Sequence, residues 1–232
     1  AEAEENDFHP IRLSWEAHPE RDQEWFNNET KNMSRRQIAQ ELECNFNTSG
    51  DTVIHADDMQ WLFENLKDPV YRTGYDRNFW IWEKYVEGVP YLLVADVARG
   101  DGTDYSVFHV IRLDNLTVVA EYQGKPNLDL YSNILYDAGR EYGNCLLVVE
   151  NNGIGISILE KLITLNYPKL YYSIKSTHEY IEAHEAENNN RSVPGFTTST
   201  KTRPLIVAKM EEYIRNKLIT LHSNRLFHEM KT

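Results

Sequence analysis

The stretch YLLVADVARGDGTDYSVFHVIRL (residues 91–113) decides how the chain is read. An apolar run ends on Asp96, a Gly-containing turn carries Asp101 and Asp104, and a second apolar run follows. Two such runs joined by a Gly/Asp turn predict a β-hairpin, with Asp104 opening the second strand opposite Asp96. LTVVAEYQG (116–124) reads as a third strand, reached through a tight turn at Asp114 and Asn115. Asp96 therefore sits where rigid sheet can hold a carboxylate in place.

Beyond this meander, helix and strand signals alternate. Leu128, Tyr131, Leu135 and Ala138 fall near helical spacing, and Gly143 is placed to end that helix. CLLVVE (145–150) is a continuous apolar run of the kind a strand buried on both faces shows. GISILEKLITLNYP (155–168) predicts an amphipathic helix through Ile158, Leu159, Leu162 and Leu165, and KLYYSI (169–174) a further strand. A polar loop runs from Lys175 to Ser199. TRPLIVAKMEEYIRNKL (202–218) then predicts a helix with Pro204 in its first turn and Ile206, Met210, Tyr213, Ile214 and Leu218 on one face. The order predicts an α/β fold: a mixed sheet of three antiparallel strands followed by parallel ones, flanked by helices.

Residues 1–78 differ in texture and read as a connecting or accessory segment, with the main domain at 79–232. HPERDQEWFNNETKN (18–32) predicts a short polar helix anchored by Trp25 and Phe26. Ser34 and Gln37 have capping-box spacing ahead of a second helix. NTSGD (47–51) is a turn cluster, and DDMQWLFENL (57–66) predicts one more short helix. The first residue is not Met, so the expectation is a piece of a longer protein.

Composition narrows the function classes. The chain is 41% hydrophobic and 26% charged, as ordinary globular domains are, and no apolar run approaches the roughly 20 residues that span a bilayer. Cys44 and Cys145 lack metal-ligand spacing, and Cys145, heading CLLVVE, reads as a buried thiol. A reducing setting fits both. The net charge of −12 argues against tight nonspecific nucleic-acid binding but leaves room for local contact through a few basic side chains.

A second apolar run also ends on an acid: Glu150 closes CLLVVE and NNGIG follows. Parallel strands can bring two such ends together at the edge where open α/β sheets bind ligands. Adjacent carboxylates repel unless a cation neutralises them, and oxygen donors with room for water suit Mg²⁺ or Mn²⁺. Two such ions roughly 4 Å apart can activate water and stabilise the leaving oxygen of a phosphodiester. Asp104 is a further candidate for the cluster. The plainer alternative, that Asp96 forms a turn, stands beside this reading. Lys175, Lys201 and Arg203, with the hydroxyls of TTSTKTRP (197–204), suit a phosphate-contacting loop entering a helix; solvated helix-entry charges would look the same.

VADVARGDGTDYSV (94–107), VVENNGIG (148–155) and PGFTTSTKTRPLIV (194–207) together resemble the C-terminal nuclease domain of the large terminase subunit of T-even-like tailed phages. HPERDQEWFNN…ELECNFNTSG resembles that family's connection from its ATPase domain. The resemblance implies an RNase H-like fold and a metal-dependent endonuclease that cuts concatemeric double-stranded DNA with little sequence preference. Asp96 and Glu150 would be catalytic metal ligands, with Asp104 a further acidic position and Mg²⁺ or Mn²⁺ the cofactor in a two-metal site. Lys175, Lys201 and Arg203 would meet DNA. Implied partners are the ATPase domain, the phage portal and the small terminase subunit, with no membrane, in the host cell cytoplasm. The family's third carboxylate, an aspartate in a helix, would lie past HEMKT; no Asp follows Asp137, and Glu229 is outside the matching motif. Two alternatives remain: a non-catalytic DNA-gripping or portal-docking module, and an actin-like phosphotransferase, whose second phosphate-binding hairpin is missing from the sequence.

Overall fold

A computed structural model describes residues 14–30, 38, 42, 53–100, 102–175, 180, 181, 183–186 and 191–231. The expected features at Ser34–Gln37 and 47–51, together with Cys44 and Asp101, lie outside the described residues.

Six strands form the main sheet: β1 (Tyr71–Thr73), β2 (Phe79–Ile81), β3 (Tyr91–Asp96), β4 (Ser106–Arg112), β5 (Thr117–Gly124) and β6 (Leu146–Val149). Their order is β1-β2-β5-β4-β3-β6. The β3–β4–β5 meander is antiparallel, and β6 returns parallel to β3 with Ala95 opposite Val149. The turn between β4 and β5 is longer than expected, running from Leu113 to Leu116, with Leu116 at φ 52° and the Thr117 amide donating to Asn115 Oδ1 at 3.1 Å.

Two helices cover one face of this sheet. In α3 below, α1 (Gln23–Glu29) and α2 (Ala56–Glu64) having come first in the chain, Asn127 caps Leu128–Glu141 by accepting from the Leu130 amide at 2.9 Å. Gly143, at φ 73°, ends that helix as expected. α4 (Gly155–Thr164) packs beside it. Tyr131, Leu135, Ile158, Leu159 and Leu162 meet Leu93, Phe108, Val110, Leu147 and Val149 in one core, every one of these side chains fully buried. Each such aliphatic or aromatic side chain contributes roughly 1.5–3 kcal/mol by leaving water.

A second core lies near the other end of β5. It gathers Ile54 and Leu62 with Val118, Ile214, Ile219, Leu221 and Phe227. These residues join α2 to α6 (Thr202–Arg215) and α7 (Asn224–Glu229); the short α5 (Ala183–Ala186) precedes α6 in the chain. Asp58 and Lys217 reinforce the junction at 2.6 Å. The helix expected around Trp25 is α1, capped by Asp22 at 2.8 Å, with Phe26 stacked on Trp15 at 4.5 Å.

Two expectations change. KLYYSI does not extend the main sheet: Leu170 makes a single parallel bridge to Leu147, and Tyr172–Ile174 then becomes β7 of a separate small sheet. Its partners are β8 (Tyr180–Ile181) and β9 (Ser192–Pro194), both inside the stretch expected to be an irregular loop. Along α6 only Ile214 of the expected apolar face is fully buried, while Ile206 and Leu218 are about half exposed. Among the described residues no helix is long and apolar enough to cross a membrane.

Candidate functional site: a carboxylate pair at the sheet edge

Strand alternation sends Leu93 and Ala95 into the helix-covered core and turns Asp96 to the opposite face. Because β6 runs parallel and in register with β3, both strands end at the same edge. The Glu150 amide donates to the Ala95 carbonyl at 3.0 Å, which sets Glu150 directly beside Asp96. The two carboxyls are close enough for Glu150 to act on the ionisation of Asp96. Sequence reasoning paired these residues, and the fold brings them together.

Both backbones are tightly held here. The buried Tyr131 hydroxyl lies 3.1 Å from the Asp96 carbonyl and 2.8 Å from that of Val107, bracing the last rung between β3 and β4. On the other strand, Glu150 bridges to Phe196, whose amide donates to Val149 O and whose carbonyl accepts from the Asn151 amide, each at 2.9 Å. Asn152 Nδ2 donates to Glu150 Oε1 at 3.0 Å and to Thr198 O at 2.8 Å, so one amide orients the carboxylate and ties it to the loop before α6. Gly155 is needed at the start of α4, since a Cβ there would collide with the Glu150 carbonyl.

The electrostatics follow from this crowding. Packed neighbours strip hydration from the Asp96 carboxyl and raise its pKa; the neighbouring Glu150 carboxyl pushes the same way. The Val97 amide, donating to Asp96 Oδ1 at 2.7 Å, and the nearby Arg203 guanidinium act in opposition.

The remaining expected residues are placed unequally. Asp104 does not open β4 opposite Asp96. Val107 takes that position, and β4 starts at Ser106, whose hydroxyl exchanges hydrogen bonds with the Ala98 backbone at 3.0 and 3.2 Å to close the hairpin. Asp104 lies in the preceding loop, yet it lines the same cavity as Asp96. Arg203 stands in the first turn of α6, close enough for its charge to act on Asp96. Lys201 is exposed at the helix entry, and Lys175 is exposed in the turn after β7. Neither lysine lines the two cavities that Asp96 borders.

Those cavities, each about 500 Å³, lie on either side of Asp96. One runs past Glu150, Phe196, Thr198 and Ile206. The other is walled by Asp104, His109, Glu121, Arg225 and Glu229. Sequence reasoning missed His109, Glu121 and Arg225. Glu121 is 1% exposed, sits opposite His109 across β5 and β4, and meets its Nε2 at 3.1 Å. The available signal was a lone acid inside the apolar run TVVAEYQG. Among the described residues, no group of three or more His, Cys, Asp or Glu side chains converges to hold a metal ion. The donor set at the sheet edge is the pair Asp96 and Glu150, whose oxygens suit a hard divalent cation that keeps water in its other positions.

No protein-family model and no curated protein sequence matches the chain. Solved structures do. The large terminase nuclease from thermophilic phage G20c with bound magnesium superposes with a TM-score of 0.54 at 16% identity, over 75% of this chain and 78% of its own. The same nuclease with bound zinc gives 0.54 and 16%, over 76% and 87%. The large terminase nuclease domain of Thermus phage P74-26 gives 0.53 and 15%, over 75% and 76%. The chain thus has the fold of the large terminase nuclease domains: an RNase H-like mixed sheet flanked by helices.

Proposed function

We propose that this domain is the divalent-metal-dependent endonuclease of a viral DNA-packaging terminase, cutting concatemeric double-stranded DNA with little sequence preference. The observation that carries the proposal is the adjacent Asp96–Glu150 carboxylate pair at the ends of two in-register parallel strands. Solved nucleases of the same fold hold magnesium or zinc, which supports a cation as the group that relieves this repulsion.

Asp96 and Glu150 would hold the cation, Mg²⁺ or Mn²⁺, and Asp104, which lines the same cavity as Asp96, would be the candidate ligand of a second. When bound, such ions lower the pKa of a water and stabilise charge on the leaving oxygen. The chain's own residues do the rest. Asn152 fixes the rotamer of Glu150, and the Val97 amide orients Asp96. Arg203 supplies positive charge next to the carboxylates where a phosphate must enter, with Lys201 and Lys175 further out along the DNA. An ATPase domain, a portal and a small terminase subunit complete the proposed assembly in the host cell cytoplasm.

A second reading, a DNA-gripping or portal-docking module without catalysis, is favoured by the net charge of −12 and by the two-carboxylate donor set. Plasmid nicking and linearisation separate the two. Incubation with Mg²⁺ or Mn²⁺ should cut the plasmid, EDTA should stop the reaction, and Asp96→Ala or Glu150→Ala should abolish it. Cutting that persists in both variants would remove these residues from the chemistry. No metal-dependent cutting by the wild-type chain would favour the docking reading.

A further inference from the structure

Arg225 is held from three sides. Its guanidinium lies 3.5 Å over the Trp80 ring, Nη1 donates to the Asn78 carbonyl at 3.2 Å, and Glu121 Oε1 stands 3.7 Å away. Trp80 is shared: Arg72, its cross-strand partner on β1, stacks over the same ring at 4.7 Å. Arg72 and Tyr105 are both within electrostatic reach of Arg225. Tyr105, about half exposed, carries Lys125 Nζ over its ring at 4.6 Å. Arg225 and Tyr105 both line the cavity that Asp96 borders, and the ring contacts extend outward from them in one strip, through Trp80 to Arg72 and through Tyr105 to Lys125. None of its basic residues belongs to the Lys175, Lys201 and Arg203 set, and Arg203 approaches Asp96 with α6.

Three cations lie along this strip, with Asp68 beside Arg72 at 3.1 Å and Glu121 beside Arg225 at 3.7 Å; the Arg72–Asp68 pair is solvent-exposed and weak, which leaves its guanidinium free to exchange partners with a phosphate. Each cation is seated on an aromatic face, which fixes its position at about 0.5–1 kcal/mol per pair at exposed sites. The rings are occupied by cations, so the strip presents charge outward rather than open faces for bases to stack on. Trp80 is separated from Asp96 by three inter-strand spacings, roughly 15 Å. That is less than half of the roughly 34 Å rise of one turn of B-DNA.

We propose that this strip is a second phosphate-contacting flank for duplex DNA, so that the duplex lies over Asp96 between Arg203 on one side and Arg72, Arg225 and Lys125 on the other. This rests on the nuclease reading above and names the track its substrate follows. Phosphate contacts of this kind position a duplex without reading its sequence.

The test is binding of a fluorescent mixed-sequence duplex in EDTA, which prevents cleavage, across a salt series. The variant is Arg72→Gln with Lys125→Gln, both exposed side chains outside the cores. Loss of two phosphate contacts should weaken binding about tenfold at moderate salt and flatten the slope of log K against log salt by about two. Lys201→Gln with Arg203→Gln should weaken binding independently. If the Arg72/Lys125 variant keeps the wild-type affinity and slope while the Lys201/Arg203 variant loses them, the second flank is wrong and the nuclease reading stands. If the wild-type chain binds no duplex even at low salt, the second flank fails, and the nuclease reading is decided separately by the metal-dependent cutting assay. A wild-type preference for single strands that disappears in Tyr105→Ala would overturn the duplex assignment and make the strip a stacking platform.

Discussion

Asp96 and Glu150 stand side by side at the ends of two parallel strands in the same register, the Glu150 amide bonded to the Ala95 carbonyl at 3.0 Å. Such an arrangement opposes its own ionisation. Desolvation and the neighbouring Glu150 let folded Asp96 keep its proton to higher pH than the unfolded chain would. The sign follows from proton linkage: between the unfolded and the raised folded pKa the native state binds more protons, so its stability declines as pH rises through that window. Asp96→Asn removes this penalty. Its melting temperature should match the wild type in acid and exceed it at neutral pH. Solvent screening of the exposed side chain keeps the gain to about 1–2 °C. Thermal melts in EDTA from pH 3.5 to 8 check it, and an Asn variant that melts below the wild type at pH 7 would contradict the electrostatic account.

The Tyr131 hydroxyl is the second support of the same edge. It is fully buried and placed between the carbonyls of Asp96 and Val107. Tyr131→Phe keeps the ring packing and removes the single hydroxyl proton that the two carbonyls share, at a cost of about 1–2 kcal/mol. Urea denaturation should show a lower midpoint with an unchanged m-value. A midpoint equal to the wild type would mean that water replaces the hydroxyl.

How much of this was legible beforehand depended on whether a residue's role is local. β3, β4, β5, the helix at 128–141 and the strand before Glu150 follow from periodicity, because apolar spacing and burial are one constraint. Asp96 and Glu150 stood out because each is an acid at the end of such a run. The destination of KLYYSI did not, since a three-residue strand pairs equally well with the main sheet or with a neighbouring hairpin. Nor did the partners of Glu121: His109 and Arg225 come from β4 and α7, and only the folded register places them together. Asp104 misled because the closing role belongs to Ser106, two residues later.

Gly155 tests the backbone side of the site. It follows Glu150 by one turn, and a methyl group there would overlap the Glu150 carbonyl. Side-chain adjustment cannot relieve an overlap with backbone, so Gly155→Ala must shift β6 or α4. A loss of about 2–4 kcal/mol is expected, in the range of large single-site effects. On the proposed function, cleavage should fall as well, because Glu150 moves away from Asp96. A variant with wild-type stability and wild-type cutting would show that the strand end is more yielding than its packing indicates.

Glu121 offers the sharpest contrast between buried and exposed charge. Its carboxylate is almost wholly enclosed, bonded to His109 at 3.1 Å, with Arg225 at 3.7 Å from the oxygen that accepts no hydrogen bond. Removing it leaves a guanidinium packed on Trp80 without its counter-charge. Breaking a buried pair costs roughly 3–5 kcal/mol, but His109 and Arg225 both keep some solvent contact, so about 2–3 kcal/mol is expected for Glu121→Ala. The double-mutant cycle with Arg225→Ala should return a coupling of about 1 kcal/mol, within the usual range for residues in one network. The same cycle on the exposed pair Lys161–Asp129, 3.2 Å apart, should return less than about 0.5 kcal/mol. Equal couplings in the two cycles would mean that Arg225 is held by Trp80 and Asn78 alone, with Glu121 serving only His109.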